Sequence, residues 1–134
     1  MGFSRTQLQD AGGLMRLSRQ GDGYQANPVI TTQSADSAQT LGVAAINGGI
    51  YQRSGMTAGR TDTTDTAANI LAANPNMDVG DSFTFRISVT VAFALTLSAG
   101  TGVTLAGYTS VPASGMREFV VTKTSATTVT ITGL

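Results

Sequence analysis

The sequence predicts an all-β domain, an antiparallel sandwich with one short helix and an extended N-terminal arm. Three observations predict it. From residue 79 onward, apolar residues alternate with Thr, Ser and Arg at period two, the mark of half-buried strands. Turn-forming residues recur at a spacing of about ten, as in sandwiches and barrels. Only one stretch, residues 62–73, combines helical spacing with a capping residue before it and a proline after it.

Residues 1–27 are polar and glycine-rich, with Gly12-Gly13, Gly21 and Gly23, and apolar residues are sparse but present at Phe3, Leu8, Leu14, Met15 and Leu17. Too few apolar groups are present to build a core, so these residues read as an arm. Those five side chains are its candidate anchors on a partner. The folded domain is expected over residues 28–134. Pro28-Val29-Ile30-Thr31-Thr32 is a β-branched run. Leu41 to Ile46, then Asn47-Gly48, then Gly49 to Gln52 has the pattern of a hairpin with a type I′ turn. In residues 62–73, Asp62, Thr63 or Thr64 can cap a helix, and Asp65 suits the positive end of its dipole. Ala67, Ile70 and Leu71 form its apolar face, and Asn74-Pro75 ends it.

Phe83, Phe85, Ile87, Val89, Val91, Phe93, Leu95 and Leu97 then alternate with smaller residues, with a break expected near Val91. Gly100-Thr101-Gly102 and Gly107 to Ser110 are turns, with Val103 and Leu105 between them. Phe119, Val121, Val129 and Ile131 mark two closing strands around a loop at Thr124–Thr127. The core should contain Phe83, Phe85, Ile87, Leu95, Leu97, Phe119, Val121, Val129 and Ile131.

Composition narrows the function. The 134 residues suit one domain. With neither cysteine nor histidine, the chain lacks thiolate nucleophiles, disulfides and the side chain that titrates near neutrality. Charged residues are 12% of the chain, about half the usual share, and they cancel to zero. The seven arginines are scattered and Lys123 is the one lysine, so no basic cluster suggests a nucleic-acid partner. No stretch approaches the roughly 20 apolar residues of a membrane span, and no membrane partner is expected. A surface so short of charge suits a protein covered by neighbours.

No constellation of catalytic type emerges. A serine nucleophile has no histidine base, and no Ser-x-x-Lys spacing occurs. Asp62/Asp65 and Asp78/Asp81 are close acidic pairs, better explained by a helix start and by a turn before a strand. Asp78-Val79-Gly80-Asp81 lacks the alternating ligands of a calcium loop. Gly100-Thr101-Gly102 lacks the Gly-Lys-Ser/Thr of a phosphate loop. Tyr24, Tyr51 and Tyr108 are far apart in sequence, and the latter two read as half-buried strand residues. The expectation is a non-enzymatic binding protein without cofactor or metal.

Four segments carry a family resemblance: Arg60 to Ala73, Gly80-Asp81-Ser82-Phe83-Thr84-Phe85-Arg86-Ile87, Thr96 to Leu105, and Arg117-Glu118-Phe119-Val120-Val121. From Ser54 to Leu134 the chain resembles the capsid cement, or head decoration, proteins of tailed bacteriophages, particularly short-tailed ones. The resemblance implies a jelly-roll-like sandwich on the outer surface of an icosahedral virion, clipping neighbouring major capsid protein subunits together. It also implies self-association, with a homodimer preferred and a trimer open. The competing readings are a β-rich tail-fibre or baseplate module and a carbohydrate-binding module.

Overall fold

The computed structural model describes residues 28–134. Ten strands and two short helices follow in chain order. The strands are β1 (Val29–Gln33), β2 (Thr40–Leu41), β3 (Gly49–Arg53), β4 (Arg60–Thr64), β5 (Ser82–Val89), β6 (Leu95–Ser98), β7 (Val103–Gly107), β8 (Ser110–Val111), β9 (Met116–Lys123) and β10 (Val129–Gly133). Helix α1 (Val43–Gly48) lies between β2 and β3, and α2 (Ala67–Ala72) between β4 and β5. No helix among the described residues is long and apolar enough to cross a membrane.

A six-stranded sheet runs β1-β3-β5-β9-β10-β7, and a four-stranded sheet runs β2-β4-β6-β8. The first nine strands therefore alternate between the sheets, odd strands in one and even strands in the other. Through β6 each new strand lies beside the previous one of its own sheet and parallel to it. The expectation of an antiparallel sandwich is thus corrected. Both sheets are mixed, with antiparallel pairing at β5–β9, β9–β10 and β6–β8 and parallel pairing elsewhere. Parallel neighbours need a crossover rather than a tight hairpin, and here each crossover passes through the opposite sheet.

The hairpin expected at Asn47-Gly48 is overturned for that reason. Its first arm is helix α1, because β2 and β3 belong to different sheets. Ala45 and Ile46 are adjacent and both buried, which a helix end permits and a one-faced strand does not. Gly49, at φ 103°, terminates α1 in the left-handed region. The helix expected over residues 62–73 is shortened, and it is one of two. Residues 60–64 form β4, with Asp62 and Thr64 buried and Thr61 and Thr63 exposed. Helix α2 begins only after Thr66, whose hydroxyl accepts the Asn69 amide at 3.2 Å.

One apolar core lies between the sheets. Phe85, Ile87, Val89, Phe119, Val121, Val129 and Ile131 line it from the larger sheet, and Leu41, Leu95, Leu97 and Val111 from the smaller. Phe85 and Phe119 are register partners and stack with centroids 5.4 Å apart. Ile46 and Ile70 close the core from the two helices. Eight of the nine expected core residues are buried; Phe83, near the start of β5, is only partly so. The break near Val91 separates β5 from β6, leaving Phe93 exposed between them.

Candidate interaction surface

The described residues hold one fully buried ion pair. Arg53 ends β3 and Asp62 sits mid-β4, and both are 0% exposed. Arg53 Nε donates to Asp62 Oδ2 at 2.8 Å and Nη2 to Oδ1 at 3.3 Å. The remaining guanidinium protons reach the carbonyls of Ala35 (2.6 Å), Ser54 (3.3 Å) and Ser37 (2.5 Å). Asp62 also accepts the Tyr51 hydroxyl at 2.9 Å and the Gln39 amide at 2.9 Å. Burial pushes the Tyr51 phenol well above its ordinary range, and the Asp62 charge adds to the rise. With all five donors of the arginine engaged and four bonds on the carboxylate, the cluster has little capacity left for a ligand. It clamps the β1–β2 connection and the start of the β3–β4 connection to the core.

From sequence, Asp62, Thr63 or Thr64 can cap a helix and Arg53 is one of seven scattered arginines, so the sequence reading does not bring this pair together. A signal was present: Tyr51/Arg53 and Asp62/Thr64 each keep strand phase, the pattern of polar residues pointing inward. Asp65 does serve helix starts, and two of them. Its carboxylate accepts Val43 N of α1 at 3.1 Å, and Thr66 N at 2.8 Å and Asn69 Nδ2 at 2.7 Å at α2. Burial raises its proton affinity, yet these bonds outweigh it and hold the group below the usual carboxylate range. Asp78 and Asp81 close a turn: Asp81 Oδ2 accepts Asp78 N at 2.9 Å, and Gly80 takes φ 98°. Gly100-Thr101-Gly102 is a turn into β7, with Gly102 at φ 79° and Gly100 N bound to Thr64 Oγ1 at 2.9 Å.

The surface is unusual in its chemistry. On the outer face of the smaller sheet, register aligns Thr40, Thr63 and Ser98 in one row and Thr61, Thr96 and Ser110 in the next. The larger sheet aligns Ser82, Thr122, Thr130 and Thr104 across four strands. Arg86 opposite Glu118 is the charged pair on that face. These hydroxyl rows stand where charged residues usually face water.

Five of the seven exposed large apolar residues among the described residues lie at two places, with Val79 and Phe93 apart from them. Val29 (57% exposed) and Ile30 (56%) lie on β1, an edge strand of the larger sheet among the described residues. Tyr108, Met116 and Leu134 lie near Arg117, whose guanidinium carbon is 4.8 Å from the centre of the Tyr108 ring. Tyr108 is 68% exposed in the β7–β8 turn, which corrects its reading as a half-buried strand residue; Tyr51 is in a strand and fully buried. The expected arm residues Phe3, Leu8, Leu14, Met15 and Leu17, and Tyr24, lie outside the described residues.

No family model matches the chain, and neither a curated protein nor a solved structure matches it.

Proposed function

We propose that this chain is a structural virion protein that binds the outside of an icosahedral phage capsid and cements neighbouring major capsid protein subunits. The observation that carries the reading is the charge-poor outer surface: hydroxyl rows on both sheets, with apolar residues exposed at the β1 edge. Such faces lose little charge solvation when a neighbour covers them. The resemblance over Ser54–Leu134 supports the same reading. In this reading the mixed sandwich supplies the contact surface for the capsid, and the protein self-associates. It performs no catalysis and uses no cofactor. Weak binding per copy suffices, since stabilisation adds over many sites of one shell.

The test is to locate the protein in purified particles and to compare particles with and without it. Particles lacking it should assemble yet break at lower temperature or pressure. Equal robustness would refute cementing and favour a tail or receptor-binding role. The exposed Tyr108 beside Arg117 supports the carbohydrate-binding alternative, which glycan binding by the purified chain would establish.

A further inference from the structure

We propose that the β1 edge pairs with the β1 edge of a second copy, antiparallel about a twofold axis through Thr31, joining the two six-stranded sheets. The inference stands on the sheet edge and does not require the capsid. It gives the self-association of the proposed function a surface.

Residues 29–33 of β1 pair in parallel register with residues 49–53 of β3, and β1 has no strand on its other side among the described residues. Ser54 N donates to the Gln33 carbonyl at 2.9 Å, so Gln33 directs its backbone groups toward β3. Backbone direction alternates along a strand, hence Thr31 and Val29 also face β3 while Ile30 and Thr32 present N–H and C=O to the open edge. A twofold axis at Thr31 places Ile30 opposite Thr32 of the other copy, and Thr32 opposite its Ile30. Both are hydrogen-bonded pairs, giving four bonds that use every free group of Ile30 and Thr32. Thr31 then faces its own counterpart in the close, non-bonded position, and Val29 faces Gln33.

The second copy fits better than other occupants for three reasons. The strand Val-Ile-Thr-Thr-Gln has no charge, proline or bulge, the devices that usually protect an edge, and so presents no like-charge repulsion to its own image. Val29 and Ile30 are more than half exposed, and the pairing covers them; the opposite edge strand, β7, has no such exposed pair. A β1–β1 contact closes after two copies, whereas β1 on β7 would propagate into a filament. Five residues a side bury far less than the roughly 1,200–2,000 Å² of a standard interface. The free dimer is therefore weak and concentration-dependent, and strengthens where a lattice holds two copies at a twofold.

The chain has no cysteine, so one introduced thiol reports the axis. In the full chain, Thr31→Cys should form an intermolecular disulfide under mild oxidation much faster than Gln33→Cys, whose counterpart across the axis is Val29. Sedimentation of the unmodified chain should show a dimer growing from micromolar to millimolar concentration, and Ile30→Lys should abolish it with an unchanged circular dichroism spectrum. Thr32→Pro removes an edge N–H not used by β3 and should do the same. Equal cross-linking of the two cysteine variants, or a monomer at every concentration, overturns the inference; the chain's own residues 1–27 occupying the edge would give that monomer. Dimers that fail to bind capsids would refute the proposed function alone, and capsid binding by an Ile30→Lys monomer at wild-type strength would refute a role for the dimer there.

Discussion

Replacing Asp62 with alanine tests the centre of this structure. The substitution leaves the Arg53 charge 0% exposed with its Nε proton unanswered. It also strands the Tyr51 hydroxyl and the Gln39 amide, which Asp62 accepts at 2.9 Å each. Orphaned buried donors cost about 1–3 kcal/mol apiece. Those costs do not add fully, because Arg53 keeps its carbonyl partners at Ala35, Ser37 and Ser54. The expected loss is about 3–5 kcal/mol, the range for breaking a buried pair by removing one member. Typical domains hold only about 5–15 kcal/mol in total, so about a fifth of the stability or more should vanish. Urea unfolding followed by circular dichroism measures it. With a slope near 2 kcal/mol/M, the midpoint should fall by about 2 M. The double variant Arg53→Met, Asp62→Leu should cost less than the sum of the two single variants. A midpoint loss worth under about 1 kcal/mol for Asp62→Ala would refute the view that these groups are dry and mutually satisfied.

Four further outcomes follow from particular contacts. Phe85→Ala, at 1% exposure and stacked on Phe119, should cost about 3–5 kcal/mol in the same assay. Asp65→Ala removes the acceptor shared by the starts of α1 and α2 and should cost about 0.5–2 kcal/mol, read by thermal melting. Gly100→Ala should cost about 1–3 kcal/mol, because a Cβ there would lie 2.6 Å from the Asp65 carbonyl oxygen. Acid should destabilise the fold: the Thr57 hydroxyl and amide with Arg60 hold Asp36 below the usual 3.8, and Asp65 is lowered too. Both groups therefore support folding above about pH 4 and lose that support as pH falls toward their folded values. Asp36→Asn should flatten the dependence of the melting temperature on pH between pH 5 and 2.

The sequence was most legible where neighbours in sequence are neighbours in space. β9 and β10 pair antiparallel through the Thr124–Thr127 loop, and alternation alone identified their core residues Phe119, Val121, Val129 and Ile131. The turns at Gly100–Gly102 and Asp78–Asp81 were readable because glycine dihedrals and side-chain bonds within a few residues decide them. The N-terminal half misled for the opposite reason. Asn47-Gly48 is a strong hairpin signal, but the partners of β3 are β1, about twenty residues upstream with β2 and α1 in between, and β5, beyond β4 and α2. Asp62 resembled a helix cap because its true partner, Arg53, lies across the inter-sheet connection. Parallel pairing leaves no short-range trace in a single sequence.

Interleaved sheets still need something to specify their order, and the buried polar contacts supply it. Alternation makes Ile50, Tyr51, Gln52 and Arg53 a plausible strand in either sheet, and a shift of one residue would invert its faces. Arg53 removes that freedom. It grips two carbonyls on the way from β1 to β2, one just after β3, and a carboxylate within β4. Gln39 N on Asp62 and Thr63 N on the Gln39 carbonyl fix β2 against β4, and Asp65 ties the end of β2 to both helices. A one-residue slip of β3 would turn Tyr51 and Arg53 to solvent and leave the Asp62 carboxylate on β4 buried without its partner. In a chain with so few charges, the buried pair acts chiefly on register, whatever it contributes to net stability. The double variant Arg53→Met, Asp62→Leu separates the two effects. Loss of register specificity should appear as multiple or broadened amide resonances from β1 through β4, with those of β9 and β10 unchanged. A single sharp set throughout would show that hydrophobic alternation alone selects the order.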